Sequence, residues 1–204
     1  MRVWGLARLA ALFVALALGG CVTAENSLSQ EDIASMKLTG VTVSFEPNAR
    51  VQWDDSFRAY TAGRAIPNDE MAAAWARPEA RTYVRTLLAS EIKAGLEEAM
   101  AGQLNGARPV RLDIVVKEFN MSTVIESVMI GSNNHMIATA NLVDARTGAT
   151  ILSNPDLQGF LPSKGGIIGT AVGLAMDHVF TKSPAERLIE QYGRAYRTWL
   201  IRSV

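Results

Sequence analysis

Hydrophobic residues recur along this chain with two different periods, and the switch between them lays out its elements. From Arg108 to Phe119 the period is two: Val110, Leu112, Ile114 and Val116 share one face, while Arg111, Asp113 and Lys117 share the other. Such alternation belongs to a strand with one buried face and one wet face. Met136, Ala138, Ala140 and Leu142 repeat it, and the turn-forming Asp144-Ala145-Arg146-Thr147-Gly148 leads into the apolar run Ala149 to Ser153, so a β-hairpin is predicted. Residues 120–134 read as strand ends and a loop around Gly131-Ser132-Asn133-Asn134. Leu38, Val41, Val43 and Phe45 predict a first strand, ended by Pro47-Asn48.

After Pro78 the period lengthens. Val84, Leu87, Leu88, Ile92, Leu96 and Met100 are spaced by three or four residues, and Gly102 stands where a helix terminates. A second helix opens at Ser183-Pro184-Ala185-Glu186, with a capping hydroxyl, a proline at the first helical position and a glutamate at the third. Its apolar stripe is Leu188, Ile189, Tyr192, Ala195, Tyr196, Trp199 and Leu200, with Arg187, Arg194, Arg197 and Arg202 on the polar side. Strand, helix, strand, hairpin and helix together predict an α+β fold, a mainly antiparallel sheet of about four strands with two amphipathic helices packed on one face. The stretch Arg50 to Arg77 reads as a long, partly ordered connection, with a short helix over Asp69 to Trp75.

The N-terminus follows neither period. Arg2 and Arg8 precede the apolar run Leu9 to Leu18, and Gly19-Gly20-Cys21 follows, the build of a bacterial secretory signal. The run is too short to span a bilayer, which takes about 20 apolar residues. Residues 1–20 are therefore assigned as signal peptide, residues 21–37 as a polar tether in which Glu31 to Met36 could form a helical turn, and residues 38–204 as one α+β domain. Losing Arg2 and Arg8 takes 20 basic residues to 18 against 20 acidic, a net charge of −2, which offers nothing to nucleic acid. The chain holds one cysteine, so no disulfide within it and no multi-thiolate metal site is available.

Candidate chemistry is sparse. No serine sits in a Gly-x-Ser-x-Gly elbow, no His-Glu-x-x-His occurs, and the glycines lack a phosphate-loop lysine. His135 and His178 are read as surface or capping residues; no catalytic residue, cofactor or metal site is assigned. Two features point to partners. Trp53, Asp54, Asp55 and Phe57 form an acidic and aromatic patch that either anchors a protein partner or staples the connection to the core. Gly165, Gly169 and Gly173, four apart within the apolar run 165–176, would line one helix face for self-association or membrane insertion, or else belong to a buried glycine-rich loop or short helix.

The end of the signal, Leu18-Gly19-Gly20-Cys21, resembles the lipobox of bacterial lipoproteins. That resemblance implies cleavage between Gly20 and Cys21, acylation of Cys21, and a membrane anchor; Val22 in place of Asp implies sorting to the outer membrane. Ser132 to Ala140, Leu142 to Gly148 and Gly165-Gly166-Ile167-Ile168-Gly169 are similar to alphaproteobacterial envelope lipoproteins classed as domains of unknown function. Those resemble in layout small α/β transport-auxiliary and curli-secretion lipoproteins, which implies a periplasmic domain that binds an envelope protein and is not an enzyme. A homo-oligomeric, membrane-linked subunit assembled through residues 165–176 is the alternative. The chain lacks a long amphipathic hairpin for a pore wall.

Overall fold

In the computed structural model, which describes residues 24–121, 134–161 and 182–202, four strands form one sheet in the order β1-β2-β3-β4. They are β1 (Met36–Trp53), β2 (Arg108–Met121), β3 (Asn134–Asp144) and β4 (Thr150–Leu161). β2–β3 and β3–β4 pair antiparallel, whereas β1–β2 pair parallel. The parallel pairing has a covalent reason. The chain between β1 and β2 runs through α2 (Asp54–Ala62), α3 (Met71–Ala76) and α4 (Pro78–Ala99), a helical crossover long enough to return it to the starting end. The sheet is thus mixed, and the α+β architecture stands as predicted.

α4 and the C-terminal helix α5 (Pro184–Ile201) pack on one face of the sheet. Ala80, Val84, Leu88, Ile92 and Leu96 of α4, and Leu188, Ile189, Tyr192, Tyr196 and Leu200 of α5, meet Val110, Leu112, Ile114, Val116, Met136 and Leu142 from the strands. Small residues let the layers close. Ala138 and Ala140 leave room on β3, and the Tyr192 hydroxyl donates to the Ala138 carbonyl at 3.4 Å. Ser183 caps α5 as its sequence foretells, with the Glu186 side chain returning to the Ser183 amide.

Three stretches depart from expectation. β1 does not stop at Pro47-Asn48: the register jumps from Phe45↔Val116 to Arg50↔Glu118, and the strand resumes to Trp53. The four extra residues of β1 oppose one extra residue on β2, so the proline, which lacks a ladder donor, lies in a bulge on an edge strand. Arg85 fastens the bulge by donating to the Ala49 carbonyl at 3.1 Å. The connection after β1 is also more regular than its composition suggests, because α2 and α3 bury Phe57, Tyr60 and Ala74 against α4.

The third departure is in the expected tether, for which the sequence predicts no more than a helical turn from Glu31 to Met36. Residues 24–35 are folded onto the end of α5 and include a capped helix, α1 (Gln30–Ser35), with Ser29 and Asp32 closing a reciprocal cap. A helix C-terminus leaves four carbonyls without intrahelical partners. Here Arg202 N–H takes Thr198 O, Asn26 Nδ2 donates to Trp199 O at 3.1 Å and Leu200 O at 2.6 Å, and Gln30 Nε2 donates to Ile201 O. The Trp199 indole returns a bond to Ala24 O at 2.7 Å, and the Arg202 guanidinium donates to the carbonyls of Asn26 and Leu28. Asn26 and Ile33 are buried, so this segment completes the helix rather than hanging from it.

Gly159 of β4 marks the tightest layer contact. A Cβ there would stand 2.8 Å from Tyr192 Cβ and 3.0 Å from the Tyr192 backbone N and Cα, none of which belongs to a flexible side-chain end. Gly159→Ala is expected to destabilise the fold by about 1–3 kcal/mol, read as a lowered urea midpoint; an unchanged midpoint would show that the layers are not in contact here.

Candidate functional site

With both long helices on one side, the other face of the sheet is left without a helix among the described residues. The alternation predicted for β2 creates this face and the strand register assembles it into rows. Thr42, Asp113, Asn141 and Ser153 line up across all four strands. Gln52, Asn120, His135 and Phe160 form a second complete row near the other end. Between them lie Ser44, Val115 and Thr139, then Arg50, Glu118, Ile137 and Gln158. A shift between Val116 and Glu118, where Lys117 is the extra residue, keeps Phe119 in the core and sends Glu118 outward.

Hydrogen bonds tie the polar members together. Thr42 donates to Asp113 Oδ1 at 2.6 Å, Ser153 donates to Asn141 Oδ1 at 2.6 Å, and Arg111 grips Asp113 with two bonds of 2.6 and 2.8 Å. Lys117 sits between Asp156 and Glu46. The Glu118 carboxylate receives Arg50 on one oxygen and His135 Nε2, 3.2 Å away, on the other. The Arg111 bonds hold the Asp113 carboxyl below its ordinary range. Burial pushes Glu118 up, but the bonds from Arg50 and His135 outweigh it and its pKa is lowered. These carboxylates are therefore locked as anions within ion pairs, the opposite of a carboxylic acid poised near neutrality for proton transfer.

What the face offers is a partly desolvated field of neutralised pairs and hydroxyls, interrupted by Val115, Ile137 and Phe160. Phe160 is 49 % exposed on the edge strand β4, one of two large hydrophobic side chains that are exposed among the described residues. In the row that ends at this ring, Asn120 keeps its side-chain oxygen buried without a hydrogen-bond partner. An exposed ring among polar groups suits a protein surface, where apolar anchors supply affinity and polar neighbours supply register.

A groove of about 350 Å³ runs between α4 and α5, lined by Glu91, Glu98, Lys182, Glu186, Glu190 and Arg194 among others. Lys182 pairs with Glu98 at 3.1 Å and Glu190 at 3.6 Å, while Glu190 also pairs with Arg194. Glu91 differs: burial first, and then the charge of Glu186, push its pKa up, and its Oε2 is buried without a hydrogen-bond partner. Among the described residues no group of three His, Cys, Asp or Glu side chains is placed to hold a metal ion. None of their helices is long and apolar enough to cross a membrane.

The structure separates the residues singled out from sequence. Trp53 and Phe57 are 7 and 9 % exposed, with Trp53 edge-on to Phe119 and Phe57 edge-on to Trp75, so they staple the connection to the core and present no ring to a partner. Asp54 and Asp55 occupy the first turn of α2, where the helix dipole favours negative charge. His135 lies on the uncovered face against Glu118. Gly20, Cys21, Gly165, Gly169, Gly173 and His178 lie outside the described residues. Sequence reading identified the wet side of β2 but not its rows, which depend on the strand register, nor Glu91, which differs from neighbouring glutamates only by its burial.

No family model and no curated protein matches the chain. Among solved structures, it is similar to a protein of the DUF330 family from Xanthomonas campestris, at 12 % identity and a TM-score of 0.40, with 88 % of this chain and 91 % of that one covered. A PelC dodecamer from Paraburkholderia phytofirmans matches at 14 % identity and a TM-score of 0.34, covering 85 % of this chain and 92 % of that one. Lipoprotein GNA1162 from Neisseria meningitidis matches at 18 % identity and 0.25, covering 72 % and 97 %. All three scores lie below 0.5, and the names describe those proteins alone.

The opposite pKa shifts give the molecule a two-sided pH response. Asp113 has a depressed folded pKa, so its contribution is present above the ordinary carboxylate range and is lost as pH falls through the folded value. Glu91 has a raised folded pKa, so stability is lost as pH rises through that value. Glu91→Gln is accordingly expected to raise Tm at neutral pH and to leave it unchanged near about pH 3, where both side chains are neutral. Equal Tm for the two proteins at neutral pH would contradict the assignment.

Proposed function

We propose that this chain is a lipid-anchored domain of the bacterial envelope, held at Cys21 on the periplasmic face of the outer membrane, which binds a protein partner through the uncovered face of its sheet and performs no catalysis. The observation that carries the reading is that face: rows of hydrogen-bonded polar residues with their charges paired, around the exposed ring of Phe160. Paired charges remove any strong preference for an anion or a cation. The matching surface is a protein that places an apolar side chain over Phe160 and Ile137 and hydrogen-bonding groups over Thr42, Asn141 and Ser153. The anchor is supported by Arg2, Arg8, the apolar run Leu9 to Leu18 and Gly19-Gly20-Cys21.

A photo-crosslinking residue at position 160, in the lipidated protein in its own host, is expected to capture one envelope protein, whereas the same residue at Tyr83, exposed on the helical side, captures none. Ile137→Glu, on the same face, should weaken that capture about tenfold, the loss of roughly 1.4 kcal/mol. Equal capture from both positions would contradict the assignment of the face, and capture of this chain alone would favour a homo-oligomer. Separately, Cys21→Ser is expected to abolish labelling by a clickable palmitate analogue; retained label would place the acyl group elsewhere.

A further inference from the structure

Ala24, whose carbonyl receives the Trp199 indole at 2.7 Å, lies three residues after Cys21. That short interval governs how a lipid-anchored domain would meet its membrane. Three peptide spans reach at most about 11 Å from Cys21 to Ala24. Were residues 21–35 all free, the same chain would reach about 50 Å to the start of β1. The folding of residues 24–35 onto α5 therefore sets the standoff, and the bonds responsible are specific: Asn26 to Trp199 and Leu200, Gln30 to Ile201, Trp199 to Ala24, and Arg202 to Asn26 and Leu28.

We propose that residues 24–35 are a clasp that holds the C-terminal end of α5 against the lipid headgroups, leaving only Val22 and Thr23 between the acylated cysteine and the folded domain. The proposal rests on the lipid-anchor reading given above. A second observation on this surface fits a bilayer. Trp199 is half-buried with its indole N–H satisfied inside the protein, so its remaining exposed edge is apolar, and Thr198 and Arg202 flank it as exposed residues. Aromatic and basic side chains are the ones that favour the headgroup zone. Arg58 in α2 lies beyond the other end of the 18-residue β1, and with a single attachment point it stands farther from the membrane on average. Opening the clasp would release the domain to several times its standoff without any change at the lipid.

Energy transfer in vesicles tests this. The only native cysteine of the chain carries the lipid, so a cysteine introduced at Thr198 or at Arg58 accepts a donor fluorophore uniquely. The lipidated full mature chain is reconstituted into phosphatidylethanolamine and phosphatidylglycerol vesicles that carry a headgroup-linked acceptor. Transfer from position 198 is expected to exceed that from position 58 by roughly twofold or more, given the difference in reach. A Gly/Ser insertion of about twelve residues between Thr23 and Ala24, which adds about 20 Å of mean reach and leaves the clasp intact, should lower the transfer from 198. The double variant Asn26→Ala with Arg202→Ala should lower it as well.

Equal transfer from the two positions, or transfer from 198 that the insertion does not move, would overturn the clasp while the protein still floats with the vesicles. A wild-type protein that does not float would overturn the anchor reading and the clasp with it. The insertion variant keeps the test decisive if the double variant loses its fold.

Discussion

One-sided burial of the sheet is the constraint from which the other features follow. α4 and α5 supply enough apolar surface to cover a single face of four strands, and the sequence of β2 and β3 commits to that by alternating Val, Leu, Ile, Met and Ala with polar residues. A slip of one residue would send the whole polar set into the core, so the register is strongly specified. The consequence is a second face that no helix covers among the described residues. Its residues on β2 and β3 are half-buried between their cross-strand neighbours, those on β1 and β4 are exposed, and several neutralise one another in ion pairs and short hydroxyl bonds. The paired charges leave that face with little electrostatic field of its own.

The same layer geometry explains the N-terminal clasp. α5 ends in an αL residue, Arg202 at φ +52°, with its final carbonyls pointing out of the helix. Glycine usually occupies such a position and closes the end with backbone bonds. Here the closure comes from Asn26 and Gln30, contributed from the opposite end of the chain. The beginning and end of the domain are thereby stabilised together, and the residues that complete a helix are the same ones that would otherwise be leash.

Much of the fold was legible because periods of two and of three to four are local properties. The hairpin around Asp144 and Gly148, the Ser183 cap and the apolar face of α4 all follow from neighbours in sequence. What was not legible depends on distant partners. Pro47 reads as a strand end until the bulge opposite Lys117 shows where the ladder resumes. Ser29-Gln30-Glu31-Asp32 is a readable capping box, yet the importance of Asn26 rests on carbonyls 173 and 174 positions away. Trp53 and Phe57 carry the composition of an exposed anchor and are buried because α2 and α3 fold over them onto α4. The candidate face was half legible: alternation gave the wet residues of β2, but only strand register could gather Thr42, Asp113, Asn141 and Ser153 into one row.

The central claim, that the uncovered face is occupied in the envelope, is tested most directly by side-chain accessibility. Single cysteines at Ser153 and Gln158 on that face, and at Lys93 on the exposed side of α4, are alkylated in intact host envelopes and in the purified protein. The account predicts that the two sheet positions react more slowly in the envelope than in the purified protein while the Lys93 position reacts at the same rate in both. Unchanged rates at Ser153 and Gln158 would contradict it.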